Sequence, residues 1–506
     1  MSNRSDHSRS RRLVAGSAAA IASLASGQFV SSLDSNGPTL IDAVGSGFID
    51  RYAATLKDIA VTIFGTHNKT ALIIGVWIVA VGIGAVSALT RPAVTRTVWV
   101  AAGAIGFAAH SSRPESSTVI GLVSAATAVV IGVAVLTAFD RYSPAPPEVA
   151  VPGTGSGNRR QFLTLASGTL AGSAALVVVG RALHQRAPSL ARVLNLPLPS
   201  ESVAVPMDTG ISVAGVSEYI TPIDDFYRID TALRVPRIDP GTWALRVDGM
   251  VEQPLTITYG DLLNEDSISI PVTIACVSNQ IGGDLVGTAV WQGVPLDRLL
   301  ERCGVDPAAS QIVSHSTDGF TAGMPTAVAL DGRTSLVAYA MNGQPLPERH
   351  GFPARLIVSG LYGYVSATKW LNRIELTTME ATDGYWIPRG WAKEAPVKIA
   401  SRIDVPGQGD ITSGTTPIAG VAWAPSTGIA AVEVSINESA WLTCELGRVS
   451  SDDTWVQWRY LWAATPGTHT IAVRAIGSDG EVQTDQVAAV APDGATGHHR
   501  RRVNVR

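Results

Sequence analysis

The stretch "VTIACVSNQIGGDLVGTAVWQGVPL", Val272–Leu296, places a cysteine directly after a short apolar run and before a neutral polar turn. Cys276 is one of three cysteines, with Cys303 and Cys444. A thiol so placed has four uses: core filler, half of a disulfide, nucleophile, or soft metal ligand. Three cysteines are too few for a disulfide framework, and the odd count leaves a thiol or a metal bond to explain. A cysteine hydrolase would have only His315 and His350 to draw on, with no supporting local pattern. The chain has no Gly-rich phosphate loop with a lysine, no HExxH helix, no paired CxxC and no Gly-x-Ser-x-Gly elbow. Residue types alone therefore leave Cys276 open.

The elements around it begin in a membrane-like region. At 506 residues the chain is long enough for several domains, and its net charge of -4 shows no nucleic-acid footprint. Charges divide the first third into uncharged blocks at Leu13–Leu33, Thr70–Thr90, Thr97–Ser112, Ser116–Phe139 and Gln161–Gly180. A spanning helix needs about 20 apolar residues, so residues 1–181 are expected to form about five transmembrane helices. Arg11 and Arg12, Arg91 and Arg96, and Arg141, Arg159 and Arg160 then fall on one side, the cytoplasm. The expectation is a multi-pass plasma-membrane protein whose later domains lie outside the cytoplasm. "NRRQFLTLASGTLAGSAALVVVG", Asn158–Gly180, also has the form of a twin-arginine export signal, which gives the same side. Haem between the helices would need facing histidines, and only His67 and His110 come near, both at block ends.

Residues 182–217 read as a linker, 218–395 as a globular domain, 396–492 as a β domain and 493–506 as a basic, disordered tail. Within 218–395, Trp243–Val251, Ala354–Gly360 and Arg373–Thr378 read as strands and Tyr259–Leu263 as a short helix. Val294–Gly304 reads as an amphipathic helix with Leu296, Leu299, Leu300 and Cys303 on one face and Gly304 as its stop. Short β-runs about ten residues apart between Ile399 and Val490 predict an antiparallel sandwich of immunoglobulin type, with Cys444 in its core.

Four stretches together carry a family resemblance: "TPIDDFYRID", "TIACVSNQIGGDLVGTAVWQGVPLDRLL", "SHSTDGFTAGMP" and "PERHGFPARLIVSGLYGYVSATKWL". In order and spacing they resemble the sulfite oxidase family of molybdopterin oxidoreductases, over about Glu218–Val490. The resemblance implies an α+β molybdopterin-binding domain, then the family's C-terminal dimerisation-type domain, and so a homodimer. It implies molybdenum held by Cys276 and by two sulfurs of a molybdopterin in its mononucleotide-free form. By position in the family motifs it assigns cofactor contacts to Asp224, Tyr227, Arg228, Thr317, His350, Arg355, Ala367, Thr368 and Lys369. The reaction implied is two-electron oxygen-atom transfer on a small-molecule substrate, with a membrane quinone or a cytochrome as electron partner. The chain departs from sulfite-oxidising members: Asn279-Gln280-Ile281 after the cysteine is neutral, and Phe226-Tyr227 is followed by Arg228-Ile229-Asp230. That pattern is closer to the exported bacterial branch, which includes a protein-methionine-sulfoxide reductase. Two other classes stay open: a non-catalytic cell-surface protein reusing the fold, and a cysteine hydrolase.

Overall fold

The computed structural model describes residues 2–34, 37–64, 68–114, 116–141, 155–186 and 195–506. They form two units, one of Met1–Pro188 with Thr231–Arg237, the other of Ser189–Asp230 with Ile238–Arg506.

The first unit is helical: α1 (Ser2–Ser31), α2 (Leu40–Phe64), α3 (Asn68–Ser87), α4 (Pro92–Ser111), α5 (Thr118–Asp140) and α6 (Gly155–Arg186). Four segments are long and apolar enough to cross a membrane: Arg9–Ser31, Lys69–Ser87, Thr118–Asp140 and Arg160–Leu183. The block Thr97–Ser112 is helical within α4 but is not among these four. Helix α2 was hidden from the uncharged-block reading because it carries Asp42, Asp50, Arg51, Lys57 and Asp58.

Helix α1 packs on α3, α5 and α6. Its small residues are the reason, since they let backbones approach closely. A Cβ on Gly16 would lie 2.5 Å from the Gly84 carbonyl oxygen, and one on Gly84 would lie 2.6 Å from the Ala20 Cβ. Polar side chains bond across the same interfaces: Ser23 Oγ donates to the Ala128 carbonyl at 2.7 Å, and Ser31 Oγ to Ser124 Oγ at 3.0 Å. The end of α1 thus meets the start of α5, and its start meets the end of α3. Phe162, at the start of α6, packs on Phe139 with ring centroids 5.1 Å apart, while Gly180 adjoins Phe29 and Ser32. Helix α6 therefore runs parallel to α1. His67 lies outside the described residues, and His110 is buried against Gly121.

The second unit opens with β1 (Glu201–Ser202), β2 (Ala244–Gly249), β3 (Leu255–Thr258), β4 (Ile268–Ala275), β5 (Val286–Pro295), β6 (Gln311–Ser316), β7 (Thr321–Pro325), β8 (Ser335–Met341), β9 (Gln344–Pro345), β10 (Arg355–Val358) and β11 (Leu371–Thr377). They build two sheets, ordered β1-β4-β5-β8-β10 with β9 on β8, and β3-β2-β11-β6-β7. The expected strands are β2, β10 and β11, and the expected short helix is α7 (Tyr259–Asn264), started by a Thr258–Asp261 capping box. Helix α8 (Leu296–Cys303) buries Leu296, Leu299, Leu300 and Cys303, and Gly304, at φ 63°, ends it.

Two expectations are corrected. The segment 182–217 is not a bare linker: α6 runs on to Arg186, and β1 pairs in parallel with β4. Extended chain keeps its backbone groups available, so the Pro197 carbonyl accepts from Gln292 Nε2 at 2.8 Å and the Thr209 carbonyl from the Arg448 N–H at 2.8 Å. Nor is the basic tail disordered. His499–Val505 is a strand between Gly467–Gly477 and Gly409–Ile411, with Val503 and Val505 turned into the core. Arg500 and Arg502 face outward, while Arg501 turns inward and donates to the Ile403 carbonyl at 2.8 Å; the run of three arginines gave the segment its tail-like composition. The β domain is a four-stranded and a five-stranded sheet over a core that includes Val434, Trp458, Val473 and the buried Cys444. All its strand pairs are antiparallel except Gly409–Ile411 on His499–Val505.

Leu299 is completely buried on α8. Leu299→Ala is expected to destabilise the second unit by about 2–5 kcal/mol, read as a lower denaturant midpoint by tryptophan fluorescence.

Candidate functional site

Strand β4 ends at Ala275 and delivers Cys276 to a tight loop at the sheet end. The Cys276 N–H bonds the Leu285 carbonyl at 2.9 Å, its carbonyl accepts from the Asn279 N–H at 3.0 Å, and the Ser278 N–H points at its sulfur at 3.4 Å. Asn279 Oδ1 accepts from the Leu285 N–H at 2.9 Å and closes the loop. None of the three cysteines forms a disulfide. The β domain braces this loop from outside. Arg402 Nη1 donates to the Gly283 carbonyl at 2.8 Å, and a Cβ on Gly282 would lie 2.4 Å from His499 Nε2. His499 Nδ1 accepts the Ile403 N–H at 3.0 Å, and burial with the nearby Arg501 and Arg402 pulls the imidazole down to about 4. It is a neutral wedge.

The turn after β9 and the segment before β11 form a cradle. Gly351, at φ 115°, lets the "HGFP" turn lie on both cations: a Cβ there would sit 3.0 Å from the Lys369 Cβ and 3.1 Å from the Arg355 Cβ. Arg355 is 3% exposed and Lys369 8%. Arg355 donates to the His350 carbonyl at 3.1 Å and to the Ala367 carbonyl at 3.4 Å, and its guanidinium lies 4.9 Å from the Trp291 ring centre. Burial lowers it to about 10. Lys369 Nζ donates to Asp230 Oδ2 at 3.1 Å and to the Arg349 carbonyl at 3.3 Å. Burial lowers it to about 8 against the pull of Asp230. His350 Nε2 meets the Ile223 carbonyl at 3.1 Å, which places the proton there and leaves Nδ1 an acceptor. Burial first, then Arg355 and Lys369, bring His350 down to about 3. Tyr227 is linked electrostatically to both Cys276 and Arg355, and burial raises its phenol.

The residues assigned by resemblance divide accordingly. Tyr227, His350, Arg355, Ala367, Thr368 and Lys369 gather on the cradle, with Tyr227 connecting it to Cys276. Thr368 Oγ1 bonds Ser314 Oγ at 2.7 Å, and Thr317 Oγ1 donates to the Trp370 carbonyl at 3.1 Å. Asp224 stands at the rim, its side chain 91% exposed and paired with Arg349, while Arg228 is taken up by Asp230 at 2.9 Å. Sequence reasoning missed Asp230, Arg349, Asp318 and Tyr362. Asp318 is held toward its neutral form by burial, and Tyr362, raised to about 12 by burial, is linked electrostatically to Cys276. "TDG" and "LYGY" lie inside the matched stretches, but only the fold brings them to the thiol or the lysine.

Two buried cations thus lie beside one buried carboxylate, Asp230, which Arg228 also uses. Two buried polar atoms of the cradle also have no partner: Arg355 Nε, a donor, and His350 Nδ1, an acceptor. Such a site favours an anion joined to a ring with both donors and acceptors. A phosphate-bearing pterin is that kind of group, so the residues fit molybdopterin. Among the described residues no cluster of three or more His, Cys, Asp or Glu could hold a metal ion. A metal at Cys276 would take its other ligands from the cofactor.

Residues 232–386 match the family described as oxidoreductase molybdopterin binding domain. Tomato (Solanum lycopersicum) nitrate reductase [NADH] is 34% identical over 194 residues, covering 33% of this chain and 21% of that protein. Human mitochondrial sulfite oxidase is 28% identical over 324 residues, covering 54% of this chain and 58% of that protein. The chain thus spans between about a fifth and three-fifths of these relatives. The sulfane dehydrogenase SoxCD structure from Paracoccus pantotrophus shares the fold, with a TM-score of 0.50 at 21% identity over 57% of this chain and 84% of that one. Fold, site and matches define a molybdopterin-binding oxidoreductase domain. In that domain the chain is similar to sulfite oxidases and nitrate reductases.

Two outcomes follow. Gly351→Ala is expected to cost about 1–3 kcal/mol through strain at positive φ and to lower the pterin content of purified protein by fluorescence assay. For His350 the folded pKa, about 3, lies below the ordinary 6.5. The unfolded chain then binds more protons between those values, so stability is complete above pH 6.5 and falls as pH drops toward 3. His350→Gln should flatten that acid limb in a plot of unfolding midpoint against pH.

Proposed function

We propose that this chain is a membrane-anchored molybdenum oxidoreductase that moves one oxygen atom to or from a small, sulfoxide-type substrate outside the cytoplasm. The observation that carries it is the buried Cys276 thiol at the end of β4 together with the buried cations Arg355 and Lys369 on the Gly351 turn. When bound, molybdenum held by Cys276 and the pterin sulfurs supplies two-electron oxygen-atom exchange. Arg355, Lys369 and neutral His350 hold the pterin and its phosphate, and Ala367, Thr368 and Thr317 shape the segment beside it. Asp224 and Arg228 contribute through the rim, orienting Arg349 and Asp230. Tyr227 and Tyr362 keep water away from the sulfur and present un-ionised hydroxyls beside it. The mononucleotide-free cofactor suits a cradle with few cations beyond these.

A neutral substrate is supported by the charges at hand. Arg349 is paired with Asp224, Arg228 shares Asp230 with Lys369, and the loop after Cys276 is neutral, so the rim offers a doubly charged sulfite ion no arginine without a carboxylate partner. For the helical unit, the alternation of α1, α3, α5 and α6, with α4 leading from α3 to α5, supports five spans with α2 on one face. Arginine-rich connections then lie on the cytoplasmic side. Electrons leave or enter through a membrane quinone or a cytochrome. The β domain, read as immunoglobulin-like, supports a homodimer.

Metal and pterin analysis of the purified chain, followed by a screen of sulfoxides, N-oxides and sulfite with an artificial electron carrier, tests this. Near-stoichiometric molybdenum with turnover on a sulfoxide is expected; a protein without molybdenum would instead be a non-catalytic relative. Cys276→Ser is expected to keep pterin and lose at least about 100-fold in turnover.

A further inference from the structure

The helical unit contains a cavity of about 280 Å³ at the end of the bundle where α1 and α6 finish and α2 and α3 begin. Its lining includes Gln28 and Phe29 of α1, Asp42 of α2, Trp77 of α3, Arg181 of α6 and Arg234 of the segment Thr231–Arg237. Trp77 is nine residues into α3, about 13 Å along its axis, so the cavity reaches into the apolar layer.

Its polar groups are unequal. The Asp42 carboxylate is occupied, taking Arg234 Nε at 2.6 Å and Thr39 Oγ1 at 2.6 Å. Gln28 Oε1 is fully buried and has no hydrogen-bond partner. A buried acceptor without a donor is costly, so this carboxamide calls for a ligand that carries an O–H or N–H. The phosphodiester group itself has neither, so a phospholipid could pair it only through a hydroxyl or ammonium of its headgroup. Phe29 and Trp77 offer aromatic faces for a flat ring, and the guanidinium groups of Arg181 and Arg234 can donate to a ring carbonyl. The volume fits one ring rather than a whole lipid. Ile74 and Val178, both exposed on the helices that line the cavity, leave apolar surface where a tail could lie.

We propose that this cavity binds the ring of a lipid-soluble quinol–quinone couple, with the quinol O–H donating to Gln28 Oε1. The proposal rests on the membrane reading above and names the electron partner left open there. A quinol gives up two electrons and two protons to become the quinone, and the reverse consumes them. One oxygen-atom transfer exchanges the same two electrons.

The test uses full-length holoprotein extracted from membranes in detergent, titrated calorimetrically without oxygen with a short-chain naphthoquinol. Saturable binding is expected, about tenfold weaker in Gln28→Leu and in Leu176→Trp, which would fill the cavity from its α6 wall, where Leu176 lines it. Both variants should keep wild-type turnover with a water-soluble artificial electron carrier, which shows that they fold. Absent saturable binding, equal affinity in wild type and both variants, or competition by phospholipid alone would overturn the proposal. Binding is read without turnover, so a molybdenum-free preparation still tests the cavity. Failure of the membrane reading would show separately, as recovery of the chain in the soluble fraction of cells.

Discussion

Lys369 and Arg355 are buried on one cradle with only Asp230 to answer them. Taking a cation out of water costs several kcal/mol unless it is paired, and here the pairing is incomplete. The fold accommodates this by drawing both side chains toward backbone carbonyls: Ala367 and His350 for Arg355, Arg349 for Lys369. The His350 and Arg349 carbonyls come from one turn, and that turn depends on Gly351, whose backbone angle L side chains rarely adopt; the Ala367 carbonyl comes from the segment before β11. The remaining positive potential is what a phosphate-bearing cofactor would neutralise. Cradle, turn and cofactor preference are in this sense one electrostatic problem with one solution.

The thiol is governed by a different rule. Cys276 sits where a strand ends, and a strand end aims a side chain without flexibility along the strand. Tyr227 is within electrostatic reach of both the thiol and the Arg355 guanidinium. The stacked ring of Phe226, 5.3 Å from that of Tyr227 and edge-on to His350 at 5.8 Å, holds this junction rigid. Aromatic packing rather than charge thus sets the Tyr227 ring against the His350 end of the cradle.

Much of this was legible in the sequence wherever a local rule was strong. The period of Leu296, Leu299, Leu300 and Cys303 with Gly304 behind it gave α8 almost residue for residue. Cys276, His350, Arg355 and Lys369 stood inside recognisable stretches. The losses occurred where partners are distant. Asp230 lies 139 residues from the lysine it serves, and no local pattern announces such a pair. Helix α2 was lost because charge was used to break blocks, although its Asp42 is consumed by an ion pair. The strand His499–Val505 was lost because three consecutive arginines, Arg500–Arg502, read as a solvated end, while its two buried valines were too few to show a period.

The brace on the Cys276 loop has a consequence for the order of events in a growing chain. Gly282 and Gly283 are held by His499 and Arg402, both far downstream of the cysteine they steady. While the chain is being made from its N-terminus, the cradle and the thiol are complete long before the wedge that fixes the loop between them. The last brace on the loop is therefore set only when the C-terminal strand has been made and has paired with Gly467–Gly477.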